Sequence, residues 1–259
     1  MAVLLEGGCR VSEMREGPPL ETGTLRIWQQ AGRAHGAHAI SLRVLEFSQG
    51  VSPTWQNKTS DEILYVLGDE ATEAFAAFID GWPFAITAQS GIYLRPGQTF
   101  TLDNPGPEPV VLISSQCPEP ADSSFAIATS VTSPASASMK PDRPPIVKLA
   151  DCRATPTADR WYRVLVDDEV GSTQATQFVG SIPPGRAPDH FHEYEEVLFI
   201  LRGEGRMWAG ETNTPIGFGS CIYLAKGQAH CVENTGDDEL RLLGVFYPAG
   251  SPSVRYDVL

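Results

Sequence analysis

The chain has 259 residues, of which 24 are glycine and 21 are proline, and this share of residues that interrupt regular structure argues against a helical bundle. Its hydrophobic fraction of 42% and charged fraction of 20% are those of a globular protein and exclude a chain that is disordered throughout. The formal net charge of −13 repels phosphate backbones and anionic lipids, so we expect no nucleic-acid partner and no membrane partner.

The start of the chain and the cysteines bear on the compartment. The apolar run at residues 2–5 is too short for the core of a signal peptide. No later stretch approaches the roughly 18 consecutive apolar residues of a membrane span. The 5 cysteines are scattered and include no Cys-x-x-Cys pair, which suits a reducing compartment. We therefore predict a cytoplasmic protein.

Two copies of one pattern make up the chain. Residues 92–106 match residues 222–236 at seven of fifteen positions, and residues 61–68 resemble residues 195–203. Between the copies, residues 118–147 are rich in Pro, Ser and Ala and poor in large apolar residues, which is typical of a linker. The predicted domains are therefore 1–117 and 148–259, joined by a linker at 118–147.

Short apolar runs bounded by Gly, Pro, Asn and Asp recur about every ten residues in both halves. Such runs predict antiparallel strands joined by tight turns, and hence a sandwich or barrel in each half. The predicted strands lie at 40–47, 62–67, 110–114, 161–166, 177–182, 197–201 and 240–246. Because no stretch keeps a helical period over four turns, the expected fold class is all-β.

Three of the 5 histidines fall in the second half in a pattern that suits a metal. His190 and His192 are two residues apart, so on an extended strand both imidazoles face the same side, and Glu196 keeps that parity. A neighbouring strand could bring His230 opposite. Three imidazoles and one carboxylate suit one divalent transition metal, which could be Fe, Mn, Ni, Cu or Zn.

These residues resemble the two metal-binding motifs of the cupin superfamily. The first motif, G-x5-H-x-H-x3,4-E-x6-G, is matched by Gly185, His190, His192, Glu196 and Gly203, with four residues instead of five after the first Gly. The second motif, G-x5-P-x-G-x2-H-x3-N, is matched by Gly219, Gly227, His230 and Asn234, with Ala225 at the Pro position. With two repeats, the chain resembles a bicupin. The resemblance implies a double-stranded β-helix, or jelly-roll, barrel in each half and a metal inside the second barrel.

The first half lacks the ligands at the corresponding positions. The repeat places Gln56, Lys58 and Phe100 where the second half has histidines, and it keeps only Glu62. A protonated Lys offers no lone pair and Phe fills space with hydrocarbon, so we predict no metal there. Lys58 and Glu62 are instead candidates for an ion pair.

We interpret the first barrel as an element for packing or dimerisation, and we expect a homodimer. A metal-free binding pocket near Trp55, Trp82 and Tyr65 is the alternative. The two other histidines, His35 and His38, lie in a loop-like segment without a carboxylate at motif distance, so we interpret them as a solvated pair.

A site with three histidines and one carboxylate leaves one or two coordination positions open for water or substrate. Candidate pocket residues are Gln177, Arg163, Arg206, Trp208 and Tyr223. Glu195 is a candidate ligand only if its strand bulges, since its parity is odd. No catalytic residue is assigned beyond the metal ligands.

The resemblance implies a metal-dependent enzyme that acts on a small organic molecule. A dioxygenase-type oxidoreductase is favoured. A hydrolase, lyase or isomerase, for instance one like the ureidoglycine aminohydrolases, is the alternative, and a non-catalytic cupin that binds a small molecule is a third possibility. No nucleotide cofactor is expected, because the Gly-x-Gly at 203–205 continues with Trp208 and the chain has no phosphate-binding loop.

Overall fold

The description rests on a computed structural model of residues 1–69, 74–120, 126–128, 144–254 and 256–257, with side chains described except at 126–128 and 257. In the first half the strands are β1 (Val3–Leu4), β2 (Arg10–Glu13), β3 (Leu20–Thr22), β4 (Leu25–Ala31), β5 (Leu42–Phe47), β6 (Gly50–Val51), β7 (Thr54–Gln56), β8 (Asp61–Val66), β9 (Phe75–Ile79), β10 (Trp82–Ile86), β11 (Ser90–Leu94), β12 (Thr99–Asn104), β13 (Val110–Cys117), β14 (Ala126–Ala128) and β15 (Ile146–Lys148). In the second half they are β16 (Thr155–Thr157), β17 (Arg160–Val166), β18 (Thr176–Ile182), β19 (Gly185–Arg186), β20 (His190–Phe191), β21 (Glu195–Arg202), β22 (Glu204–Ala209), β23 (Thr212–Gly217), β24 (Ser220–Leu224), β25 (His230–Asn234), β26 (Leu240–Tyr247) and β27 (Tyr256–Asp257).

The prediction of an all-β fold is confirmed. Each of the seven predicted strands corresponds to one in the structure: β5, β8, β13, β17, β18, β21 and β26. Within the described residues, the helical elements are three short 3-10 turns, at Glu6–Gly8, Arg33–His35 and Leu149–Asp151. None of the described helices has the length and apolarity needed to cross a membrane.

Four sheets form two barrels. In the first barrel, a sheet in the order β15-β11-β8-β13-β5-β4-β3 packs on a sheet in the order β10-β9-β12-β7-β14, in which β6 also pairs with β12. In the second barrel, a sheet in the order β1-β2-β24-β21-β26-β18-β17-β16 packs on a sheet in the order β23-β22-β25-β20-β27, in which β19 also pairs with β25. Each barrel therefore has one large and one smaller sheet.

The large sheets are apolar on both faces. In β21, Leu198 and Ile200 pack inside the second barrel, whereas Val197 and Phe199 pack in a separate cluster between the barrels. Successive residues of a strand face opposite sides of its sheet, so one strand supplies both cores. The barrels are thus joined through the outer faces of their large sheets.

The two barrels exchange strands. Arg10–Glu13 pairs with Ser220–Leu224 of the second barrel, and Ile146–Lys148 pairs with Ser90–Leu94 of the first. The domain boundaries at 117 and 148 stay a prediction. In the predicted linker, residues 121–125 and 129–143 lie outside the described residues.

Candidate metal centre in the second barrel

Strand pairing brings the two histidine segments together. His190 in β20 lies opposite His230, the first residue of β25. The turn before β25 contains Gly227, whose φ of 77° suits glycine, and its N–H donates to the carbonyl oxygen of His192 at 2.8 Å. Sequence segments that lie far apart along the chain therefore meet at one end of the barrel.

The three imidazoles form a compact group. One ring nitrogen from each of His190, His192 and His230 lies within 4.8 Å of the others. The ring centroids of His190 and His230 are 4.6 Å apart, and those of His192 and His230 are 5.3 Å apart. Metal–nitrogen bonds are about 2.0–2.1 Å long, so small side-chain movements would bring all three rings onto one ion.

Backbone carbonyl oxygens orient all three rings. Nδ1 of His190 lies 3.1 Å from the oxygen of Pro188, Nδ1 of His192 lies 2.9 Å from that of Val254, and Nδ1 of His230 lies 2.8 Å from that of Gln228. A carbonyl oxygen only accepts, so each Nδ1 must carry the proton in these bonds. Each Nε2 therefore keeps its lone pair, which is the arrangement that metal-binding imidazoles require.

Glu196 adjoins the group through His192, with 3.9 Å between its Oε2 and His192 Nε2. Burial raises the pKa of this carboxyl to about 8, and burial together with His190 lowers the pKa of His230 to about 3. A buried carboxylate is costly without a compensating cation, whereas neutral imidazoles can coordinate one. The donor set therefore fits a divalent transition metal.

An aromatic column supports His192. The ring of Tyr194 stacks on His192 with 4.6 Å between centroids and an interplanar angle of 9°. On its other side, Tyr194 stacks on Phe246, with 4.3 Å between ring centroids and an interplanar angle of 18°. His192 is thus fixed by stacking as well as by its bond to the oxygen of Val254.

A cavity of about 120 Å³ adjoins the histidines and Glu196. The C-terminal segment forms part of its wall through Pro252 and Ser253. The other lining residues come from the barrel strands and loops: Thr157, Arg160, Trp161, Tyr162, Phe178, Gly180, Ser181, Ile182, Ala187, Leu198, Val232 and Leu242.

The structure corrects the five candidate pocket residues, because none of them is among the described residues that line this cavity. Gln177 is fully buried on the face of β18 that meets the first barrel, beside Gly91. Phe178, its neighbour on the strand, faces the cavity instead. The other four bond elsewhere: Arg163 to the oxygen of Leu149, Arg206 to Asn213, Trp208 to Glu233 and Tyr223 to Glu195.

The sequence interpretation missed the lining residues Arg160, Trp161, Tyr162 and Phe178. Strand parity places Gln177 and Phe178 on opposite faces of β18, but it does not show which of the two faces the cavity. Arg160 and Trp161 lie at the start of β17, where parity alone does not identify the inward side.

Glu195 points away from the histidines. Its carboxylate accepts hydrogen bonds from the backbone N–H groups of His38 at 2.7 Å and Ala39 at 2.6 Å. A third bond comes from the Tyr223 hydroxyl at 2.5 Å. Glu195 is therefore not a metal ligand in this structure, because its side chain binds the backbone of the first barrel.

The family model described as "Cupin domain" matches residues 178–246, the segment that holds all four proposed ligands. Residues 178–246 therefore form a cupin domain.

Two curated relatives match the metal-site half of this cupin. The oxalate-binding protein of Thermotoga maritima is 38% identical over 66 residues, which are 25% of this chain and 54% of that protein. Auxin-binding protein 1 of Arabidopsis thaliana is 34% identical over 70 residues, which are 24% of this chain and 35% of that protein. The matches thus span about half of one relative and a third of the other.

The fold of the whole cupin resembles that of oxalate decarboxylase. A solved structure of a Bacillus subtilis variant of that enzyme has a TM-score of 0.73 at 13% identity, covering 96% of this chain and 79% of that one. A second oxalate decarboxylase structure has a TM-score of 0.74 at 12% identity, with the same coverage. At this level of identity the likeness shows the fold, here two cupin barrels in tandem.

The first cupin barrel is filled at the position that corresponds to the metal centre. Phe100 packs on Trp55 with 4.6 Å between ring centroids. Glu62 forms a buried ion pair with Arg43 at 2.6 Å and accepts a hydrogen bond from Trp55 Nε1 at 3.3 Å. The predicted ion pair between Lys58 and Glu62 is wrong, because Lys58 is exposed and Arg43 takes its place.

The alternative pocket of the first barrel does not assemble as predicted. Trp55 packs in the core of the first barrel, whereas Tyr65 belongs to the cluster between the barrels. The ring of Trp55 thus lies inside the first barrel, whereas that of Tyr65 lies on the outer face of the large sheet.

Proposed function

We propose that this cupin is a metal-dependent enzyme that acts on a small organic molecule in the second barrel. The metal would be held by His190, His192, His230 and Glu196. The first barrel would support the second without a metal of its own.

One observation carries the proposal. Each of the three Nδ1 atoms is paired with a backbone carbonyl oxygen, at 2.8 to 3.1 Å. Three histidines that served only packing would have no reason to present three Nε2 lone pairs to one point. The chemistry of the donor set supports Fe, Mn, Ni, Cu or Zn.

A bound divalent metal would supply Lewis acidity and open coordination positions for a substrate. The side chains of the barrel supply the rest. Tyr162 and Phe178 exclude water from the cavity, and Tyr194 holds the ring of His192 in place. Glu196 contributes a negative charge that offsets the charge of the cation.

Within this proposal the reaction is of the dioxygenase type, because a metal with four protein ligands and a preference for six leaves two adjacent positions. Hydrolysis, elimination and isomerisation at the same centre are the alternatives. Oxygen uptake during substrate turnover distinguishes the first from the others.

A second candidate is a metal-dependent binding protein without catalysis. The names of both curated relatives favour this candidate, since one is an oxalate-binding protein and the other an auxin-binding protein. This candidate predicts stoichiometric metal and tight ligand binding without conversion of the ligand.

Metal analysis tests the proposal. Protein purified without chelators should contain about one transition metal ion per chain, and the variant H190A/H230A should contain none while remaining folded. His38→Ala is the matched control, because the His38 side chain is exposed and only its backbone bonds Glu195. Metal retained in the double variant would contradict the site. Oxygen uptake is then measured with phenolic and diketone substrates.

A further inference from the structure

Arg160 is the one cationic side chain among the described residues that line the cavity of the metal centre. Its side chain is only 18% exposed, so most of it is withdrawn from bulk water. Among the described residues its hydrogen-bond partner is Asp159, reached through Nε at 3.0 Å. The two terminal nitrogens of the guanidinium are therefore available as donors.

The other walls of the cavity are mainly apolar. Tyr162, Phe178, Leu198 and Leu242 provide aromatic and aliphatic surface. Four lining residues carry hydroxyl groups: Thr157, Tyr162, Ser181 and Ser253. A ligand with a second anionic group would therefore lose the hydration of that group. Among these lining residues it would find no second cation, so only the metal could compensate.

The cavity is small. Its volume of about 120 Å³ is somewhat less than that of an apolar cavity of about 150 Å³ that holds benzene. Because the cavity is open to solvent on one side, this volume limits only the part of the ligand that lies between the walls.

From this arrangement we infer that the ligand is a small monocarboxylate with an apolar body, and that Arg160 anchors its carboxylate. Arginine presents parallel N–H donors that match the two oxygens of a carboxylate. The apolar body then lies against the aromatic walls beside the metal centre. This inference rests on the proposed function for the metal, but it assigns the carboxylate to Arg160 rather than to the metal.

The ligand class differs from oxalate, which the name of one relative mentions. Oxalate has two carboxylates and no apolar body, so it leaves the aromatic walls without a partner. A short branched monocarboxylate fills them.

Calorimetric binding of three probes tests the inference on the metal-loaded full chain: 3-methylbutanoate, its primary amide and oxalate. We expect 3-methylbutanoate to bind at least about tenfold more tightly than the amide, because only the carboxylate forms charge-assisted bonds to Arg160. Oxalate should bind less tightly than 3-methylbutanoate.

The variant Arg160→Gln should lower the affinity for the carboxylate about tenfold or more, leave the amide unchanged and keep the metal content. Arg160→Lys should retain part of the preference, because it keeps the charge without the planar fork. Arg153→Gln is the matched control, since Arg153 is exposed seven positions before Arg160 and its loss removes the same charge.

A carboxylate preference that persists in Arg160→Gln would overturn the inference, because the carboxylate would then be bound by the metal. Tighter binding of oxalate, or no binding of 3-methylbutanoate, would overturn the ligand class.

The titrations are repeated after chelator treatment. A preference that depends on Arg160 in protein that never takes up metal would sustain this inference while contradicting the proposed metal function.

Discussion

Tyr223 donates a hydrogen bond of 2.5 Å to Glu195 at the contact between the two barrels. Its counterpart in the first half, Tyr93, donates to Asp61 at 3.0 Å. Each carboxylate also binds the opposite barrel, Glu195 through backbone N–H groups and Asp61 through Gln174 at 3.1 Å. The sequence repeat has thus produced two related clamps, each one residue before the retained glutamate of its barrel.

The Glu195 clamp should contribute strongly to stability. Replacing Glu195 with Ala removes the acceptor of two backbone N–H groups and the shorter of the two hydrogen bonds of the Tyr223 hydroxyl, and we expect a loss of about 3 kcal/mol in the free energy of unfolding. Urea denaturation measures it. Glu193→Ala is the control, because that side chain is 54% exposed and forms a surface ion pair with Lys226. Equal effects of the two substitutions would contradict the role of the clamp.

The C-terminal segment should strengthen metal binding. The oxygen of Val254 fixes His192, and Tyr256–Asp257 pairs with the strand that contains His190. A chain that ends at Gly250 loses both supports, so we expect its metal affinity to fall about 10-fold to 100-fold. Competition with a chelating dye measures this change.

The variant Val254→Ala is the control for that truncation, since it keeps the carbonyl group and should bind metal normally. Unchanged affinity in the truncated chain would show that the segment does not orient His192.

The buried pair of Arg43 and Glu62 replaces a metal site in the first barrel. The variant Glu62→Ala removes the carboxylate that balances the charge of the buried guanidinium, which should cost about 3–5 kcal/mol in the free energy of unfolding. Lys58→Ala, in the position predicted from the sequence to pair with Glu62, should change stability by less than about 0.5 kcal/mol. A small effect of Glu62→Ala in denaturant titrations would argue against the pair.

Replacing Gln177 should not destabilise the protein, unlike the substitutions above. Its side-chain amide is buried without a hydrogen-bond partner among the described protein groups. Its replacement by Met, of similar length, should leave stability unchanged or raise it by about 1 kcal/mol. Gln174→Met provides the contrast, since Gln174 donates to Asp61 and its loss should destabilise the protein. A marked loss of stability in the Gln177 variant, measured by thermal unfolding, would reveal a bonded amide.

The fold was predictable because its signals are local. Alternating apolar runs and turn residues identified seven strands, and the repeat indicated two barrels. The spacing of His190, His192 and His230 likewise predicted three side chains that the structure brings within 4.8 Å. These features depend on strand parity and motif spacing, which can be read from the sequence.

The pocket was not predictable in the same way. Gln177 and Phe178 are adjacent on one strand, yet only tertiary packing determines which faces the cavity and which faces the other barrel. Both faces of the large sheets are buried, so hydrophobicity does not distinguish them. Likewise, the partner of Glu62 lies on β5, which β13 separates from the strand of Glu62, and proximity along the chain favoured Lys58 instead.

The exchange of edge strands has a consequence for how the protein is made. Arg10 pairs with Tyr223, which lies far later in the chain. The second barrel therefore closes only after Tyr223 has been synthesised, and contacts between such distant residues favour slow folding. Neither half is a self-sufficient unit, so a separately expressed second half would present the edge of Ser220–Leu224 as a template for association with other chains.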